Sequence, residues 1–175
     1  MALRTIGQII GFASTALFIL SFQIKTNKKL FFVQLLSFAI STIHYFMIGA
    51  ITGSAIMLIN VIRCVLMYFY TDKAWARWKI WPVLLVIGYV INTALTWDTW
   101  LSILPLIGTL ACTYGCWSRN PRTIRMANLI LGSPTWLVYD IVQGSISASI
   151  MESLTILSIL ISIIRFGWKA LDTQN

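Results

Sequence analysis

Charge is scarce in this chain, and acidic charge is the scarcest: five Asp and Glu stand against 13 Lys and Arg among 175 residues. Charged side chains make up 10% of the sequence, against about a quarter in soluble domains, so the usual water-facing surface is missing. A single histidine and five acids give no His/Asp/Glu set such as an intramembrane hydrolase uses to hold a metal. There is no glycine-rich phosphate loop and no nucleophile elbow. The expectation is a protein that is not an enzyme, with no cofactor and no metal. Cysteine is sparse too. Cys64, Cys112 and Cys116 all fall inside apolar runs. Cys112 and Cys116 share a helix face, but two thiols without His or acidic companions make a poor ligand set. Packing accounts for them.

What the chain has in abundance is apolar length. Runs at 6–24, 30–48, 50–70, 80–97, 99–117, 126–142 and 145–168 raise the mean hydropathy to +0.83. Each approaches the roughly 20 residues a helix needs to cross a bilayer core. Seven such runs leave no room for a soluble domain or a low-complexity linker. The expected fold class is an all-α polytopic membrane protein, one domain over 1–175, with the lipid bilayer as its first partner. The opening run is longer than a secretory signal's apolar region, only Arg4 precedes it, and Lys25-Thr26-Asn27-Lys28 offers no small-x-small cleavage site. It is expected to be retained.

The few charges are ordered. Lys25, Lys28 and Lys29 fill the first gap, Lys73, Arg77 and Lys79 the third, and Arg119, Arg122 and Arg125 the fifth. Arg165 and Lys169 close the last run, and the second, fourth and sixth gaps hold no basic residue. Because cytoplasmic loops retain Lys and Arg, the odd gaps and the C-terminus are expected inside and the N-terminus outside. The net charge of +8 is then a topology signal. Nucleic acid is not expected as a partner, since that would want basic residues gathered on one soluble face. Here they stand at run ends beside Trp75, Trp78, Trp81, Trp117 and Trp168, while Trp97 and Trp100 mark the outer interface.

An internal repeat connects topology to function. Residues 41–67 can be laid on 136–162 at an offset of 95, so that Gly49-Ala-Ile-Thr-Gly-Ser54 meets Gly144-Ser-Ile-Ser-Ala-Ser149. The basic gaps before them correspond, and Gly11 meets Gly108 once the offset becomes 97. This gives a 3+1+3 plan: repeat 1 over about 6–70, a linker helix over about 80–97 and repeat 2 over about 99–168. A three-helix unit starts and ends on opposite sides of the membrane. The fourth helix returns the chain, both units run the same way, and a site is expected near midplane between them.

Leu104-Pro105-Leu106-Ile107-Gly108-Thr109, Asn60-Val-Ile-Arg63 and the Gly144–Glu152 stretch carry a resemblance. With the 3+1+3 plan, the chain resembles the SWEET and PnuC superfamily of triple-helix-bundle transporters (the MtN3-like, PQ-loop carriers). More closely, it resembles the YgjV family of bacterial inner-membrane proteins, and the likeness covers nearly the whole chain. The resemblance implies an inner-membrane location and a small-solute carrier, without naming the solute. SWEET carriers tend to have prolines in the first two helices of each unit, near their hinges. Pro105 and Pro134 supply them in the second unit, whereas the first has Gln8, Gly11, Ser37 and Ser41 instead.

The residues themselves say most in the third and seventh runs. Ser149, Glu152, Thr155, Ser158 and Ser162 recur every three or four positions and share one helical face; their repeat partners are Ser54, Met57, Asn60, Arg63 and Met67. A polar stripe toward lipid is unfavourable, so both are expected to face the middle of the protein. At 1.5 Å per residue, Asn60 lies roughly 15 Å below the outer end of its helix, with Arg63 one turn deeper and Glu152 roughly 10 Å down its own. An arginine at that depth costs at least about 2.5 kcal/mol and needs an anionic or carbonyl partner. Two accounts stand: an Arg63–Glu152 contact that locks the units, or Arg63 gripping an anionic or carbonyl-bearing solute while Glu152 binds it or carries a proton.

Thr155 and Ser158 join Asn60, Arg63 and Glu152 as candidate solute ligands. Trp136, near midplane on the helix of Pro134, would stack on a ring or sugar face or else pack the core. His44 and its repeat partner Tyr139, with Pro105 and Pro134, are the candidate gating residues. Asp140 and Asn92 read as mouth or packing residues on the outer side, Gln34 and Asn128 on the inner. The expected function is a small polar solute carrier, facilitative or proton-linked. The alternative is a non-transporting receptor or partner-binding protein on the same scaffold, with Lys73–Lys79 as its docking surface. Import versus export and assembly as a homo-oligomer are left open.

Overall fold

The structure, a computed structural model, describes residues 2–21, 27–118 and 120–166, the side chains of residues 2, 27, 121, 162, 165 and 166 excepted. Lys25, Arg119, Trp168 and Lys169, and the side chains of Ser162 and Arg165, lie outside the described residues. Helices α1 (Ala2–Ser21), α2 (Asn27–Ile48), α3 (Ile51–Phe69), α4 (Ile80–Leu95), α5 (Ile103–Ser118), α6 (Pro121–Ala127), α7 (Ser133–Gln143) and α8 (Ile146–Phe166) follow one another. Short 3₁₀ turns stand at Ala74–Arg77 and Trp100–Ser102, and a π turn at Asn128–Gly132 joins α6 to α7.

The two tight connections, α2 to α3 and α7 to α8, are the same turn built twice. Gly49 and Gly144 take the left-handed conformation, with φ of +87° and +69°, which a side chain would strain. Gly49 N–H donates to Phe46 O at 3.1 Å and Ala50 N–H to Tyr45 O at 2.9 Å. The images 95 residues on are Gly144 N–H to Ile141 O at 3.1 Å and Ser145 N–H to Asp140 O at 2.8 Å. This is the paired closure that ends a helix at glycine and returns its last carbonyls to the backbone. The helix pairing repeats as well. α1 packs on α2 and on α8, α5 packs on the α6–α7 segment and on α3, and α4 touches α3 and α5. The first helix of each repeat thus lies against the last helix of the other.

Glycine makes these approaches possible. A Cβ on Gly11 would stand 2.1 Å from Ser147 Oγ and 2.7 Å from His44 Nδ1; one on Gly108 would stand 2.4 Å from Thr135 Oγ1 and 3.1 Å from the Gly132 carbonyl. Ser14, Ser37 and Ser41 staple α1 to α2, with Ser14 Oγ 2.6 Å from Ser41 Oγ and donating to Ser37 O at 2.8 Å. The serines that stand where the second repeat has prolines therefore lock two helices together.

Pro134 explains the π turn. It has no N–H and its ring would strike the carbonyl four residues back, and the chain yields by letting Ser133 N–H reach Asn128 O, five residues back. Thr135 Oγ1 donates to the Leu131 carbonyl at 2.6 Å and so occupies a carbonyl that the bulge leaves over. Pro105 behaves differently. As the third residue of α5 it falls where helical N–H groups have no intrahelical partner, so it interrupts no hydrogen bond.

Four helices are long and apolar enough to cross a membrane by length and composition: Leu3–Ser21, Lys28–Ile48, Ile51–Phe69 and Trp100–Ser118. Ile80–Leu95 and Ile146–Ile161 are shorter apolar helices. Large apolar side chains such as Ile9, Phe46, Leu58, Val83, Ile107 and Leu157 are exposed along the helix sides, a surface suited to lipid and not to water. Lys28 binds Asp72 beside the ring of Tyr68, and Phe69, Trp75 and Trp81 continue the aromatic cluster. The hydrogen bond from Lys28 holds the Asp72 carboxyl below the usual carboxylate range, and the Thr71 hydroxyl adds to it. Arg4 lies at the other end, where its Nη2 donates to the Gln143 carbonyl at 2.6 Å.

These approaches make a paired prediction. Gly108→Ala forces α5 off the bulged helix and should lower stability by about 1–3 kcal/mol. Gly88→Ala, whose Cβ would meet only Ile59 Cδ1 at 3.8 Å, should be neutral or raise stability by up to about 1 kcal/mol. Thermal unfolding of the detergent-purified protein checks both.

Candidate functional site

Where α2–α3 and α7–α8 meet, near their glycine turns, a polar plug joins the two repeats. Tyr45 OH donates to Asp140 Oδ1 at 2.6 Å. These two residues are 95 apart, so each is the other's repeat image. Beside this pair, His44 Nδ1 lies 2.7 Å from the Gly7 carbonyl and Nε2 2.7 Å from Ser145 Oγ. A carbonyl only accepts, so Nδ1 carries the proton and a neutral ring accepts from Ser145 through Nε2. Tyr139 OH accepts from Gly53 N–H at 3.1 Å. That N–H is one of the four at the start of α3 without an intrahelical partner, and Ala50, which precedes the helix, offers no side-chain cap. In the first turn of α8 it is Ser147 N–H, one place earlier than the counterpart of Gly53, that is met from the first repeat by Gln8 Oε1 at 3.4 Å. Each repeat caps a helix of the other.

Tyr45, Trp136 and Tyr139 stack into an aromatic floor beneath the turns, with ring centroids 5.8 Å apart for Tyr45–Trp136 and Trp136–Tyr139. Trp136 Nε1 donates to Thr109 Oγ1 at 3.2 Å, so the indole is satisfied within the protein. Trp136 of this floor also borders a small cavity of about 50 Å³, lined among others by Phe38, Asn60, Arg63, Ser133 and Glu152. Arg63 donates from Nη1 to Thr113 Oγ1 at 3.1 Å and its guanidinium stands 5.8 Å from the centre of the Phe38 ring. Asn60 Oδ1 accepts from Tyr89 OH at 2.8 Å. Ser133 Oγ is buried beside the Glu152 carboxyl, to which its hydroxyl can donate.

Set against the sequence, the α3 stripe does face inward: Ser54, Met57, Asn60, Arg63 and Met67 are all buried. The α8 stripe is different. Glu152 is buried, Ser149 and Thr155 are half-buried, Ser158 is exposed, and Ser162 lies outside the described side chains. Ser149 and Thr155 donate to the Ser145 and Met151 carbonyls four residues back, so neither needs a partner in the protein interior. Thr155 and Ser158 therefore do not border the cavity, whereas Asn60, Arg63, Glu152 and Trp136 do. Arg63 and Glu152 form no ion pair; the one ion pair among the described residues is Lys28–Asp72. His44 and Tyr139 stand together in the plug, Pro134 follows the π turn, and Pro105 lies apart in the first turn of α5.

Sequence reading passed over Tyr45 and took Asp140 as a mouth or packing residue on the outer side. A signal was present, because they are a polar pair at equivalent positions of the repeat, one turn before each glycine. Ser133 and Thr113 gave none, being ordinary small polar residues in apolar runs.

Removing one member of the central pair separates its roles. Tyr45→Phe leaves Asp140 buried without a donor and should cost about 1–3 kcal/mol. Adding Asp140→Leu to it removes both polar groups and should restore most of that loss, as thermal unfolding of the single and double variants would register.

No curated protein and no solved structure shows significant similarity to this chain. A family model described as bacterial inner membrane protein, Imp-YgjV, matches residues 5–170. That span takes in both repeats and the plug between them, and with the apolar helix sides it puts the protein in the bacterial inner membrane: the chain belongs to the YgjV family of bacterial inner-membrane proteins.

Proposed function

We propose that this protein is a small-solute carrier working by alternating access. In this reading residues 6–70 and 99–168 are parallel three-helix units joined by a linker helix over 80–97, in the manner of the SWEET and PnuC carriers. The N-terminus lies outside and the C-terminus in the cytoplasm. One observation carries the reading: two hairpins with the same turn chemistry meet in a polar plug, and Trp136 beside that plug borders a small cavity lined by Arg63 and Glu152.

The cavity of about 50 Å³ admits water-sized occupants, so a solute enters only when the plug parts. Parting breaks the contacts of His44 with Ser145, Tyr45 with Asp140 and Tyr139 with Gly53, all of which run between the repeats. At a net 0.5–1.5 kcal/mol each, the loss of these three totals about 1.5–4.5 kcal/mol, the few kcal/mol that separate a major from a minor state. Inside, Arg63 has five N–H donors in a planar fork, and those not directed at Thr113 suit a carboxylate or carbonyl group.

Thermal unfolding with a metabolite panel, run beside Arg63→Ala, tests this. A bound solute at 100 times its Kd should add about 2.7 kcal/mol. The variant should fold and lose that response. If it instead loses stability equally with and without solute, Arg63 is structural and the carrier reading gives way to a receptor or partner-binding protein.

A further inference from the structure

The carrier reading leaves the chemistry of the solute open, and the walls of the cavity narrow it. Arg63 reaches the cavity from α3 and Glu152 from α8, with 7% and 9% of their surfaces exposed. They are not paired with each other. Around Arg63 the free groups are donors: its guanidinium, and the amide of Asn60, whose Nδ2 has only the Met57 sulfur at 3.8 Å while its oxygen is taken by Tyr89. On the Glu152 side stand its carboxyl and, beside it, the buried Ser133 hydroxyl, whose oxygen can still accept when its hydrogen is directed at the carboxyl.

Resting on the carrier reading, we propose that the solute is zwitterionic, its anionic group held by Arg63 and Asn60 and its cationic group by Glu152 and Ser133. Charge balance favours this over the alternatives. With Glu152 ionised, it and Arg63 together are neutral, and a zwitterion keeps the cavity neutral. A simple anion would bury an uncompensated charge beside Glu152, and a simple cation would do so beside Arg63. The repeat supports an asymmetric ligand as well. The image of Arg63 is Ser158 and the image of Glu152 is Met57, so each charge occurs once and the two ends of the cavity differ. Along the helices the two Cα atoms differ in depth by about 9 Å, shortened by the lean of the arginine toward its helix N-terminus. The separation favours charges set wider apart than in an α-amino acid.

The test uses the full chain in detergent, with γ-aminobutyrate, butyrate, butylamine, glycine and glycerol as probes, read by thermal shift and by direct binding. γ-Aminobutyrate should bind about tenfold or more tighter than butyrate or glycine, the difference one charge-assisted contact makes. Glu152→Gln should bring γ-aminobutyrate and butyrate to about the same affinity. Glu152→Asp, which keeps the charge and shortens the side chain, should keep the preference and shift it toward the longer ε-aminocaproate. Butyrate or glycerol binding as tightly as γ-aminobutyrate, or an advantage that survives Glu152→Gln, overturns the zwitterion while leaving a carrier in place. If no probe of any charge class binds or enters proteoliposomes, the carrier reading falls with it.

Discussion

The carboxyl of Asp140 has no exposed surface, and among the described residues its hydrogen bond comes from Tyr45 on the other repeat. A carboxyl in an apolar interior costs several kcal/mol unless it is partnered, so the two hairpins are held together where these residues meet. Much of the architecture follows from that requirement. The crossing must be tight, and Gly53, whose Cβ would stand 3.1 Å from the Tyr139 ring and 3.2 Å from the Tyr45 ring, leaves the space. Gly11 leaves the space for α1 to pass His44 and Ser147. The helices must stop and reverse at this level, as the left-handed glycines at 49 and 144 allow. With the starts of α3 and α8 thus placed, Tyr139 and Gln8 reach across to their free N–H groups.

In the carrier reading proposed above, the same constraint makes the plug the interface that opens. Apart from the contact of His44 with the Gly7 carbonyl, its bonds lie between repeats, so separating the hairpins breaks no backbone hydrogen bond inside a helix. In a bilayer that distinction matters, because breaking helical backbone bonds exposes groups that lipid cannot satisfy, whereas side-chain partners can be exchanged for water entering from one side. The interior of the cavity is arranged in the opposite sense. Arg63 and Glu152 are kept apart by helix geometry, each with neutral neighbours, and a direct clasp between them is not formed.

Much of this was legible in the sequence because membranes leave few choices. Apolar runs near 20 residues announce spans, and four helices of the structure are long and apolar enough to cross a membrane. The glycine pair at 49 and 144 marked the repeat, and the structure reproduces its hydrogen bonds residue by residue. The inward face of α3 was legible because Asn60 and Arg63 cannot turn to lipid. The α8 stripe misled for a physical reason. Serine and threonine can satisfy themselves on carbonyls of their own helix, so their periodicity does not require a polar surrounding as that of Arg or Asn does. The π turn was written only as Pro134, and how a helix absorbs a proline depends on neighbours such as Thr135 that no periodicity reveals.

The central claim is that the plug at the glycine turns is a gate between two equivalent hairpins. Ile51 and Ile146 are exposed images of each other at the starts of α3 and α8, suited to a pair of spin labels once the native cysteines are replaced. Distances between them, measured in liposomes with and without a stabilising solute, test the claim directly. The account predicts a short and a long population whose ratio the solute shifts. A single distance, unmoved by any solute that stabilises the protein, would contradict it.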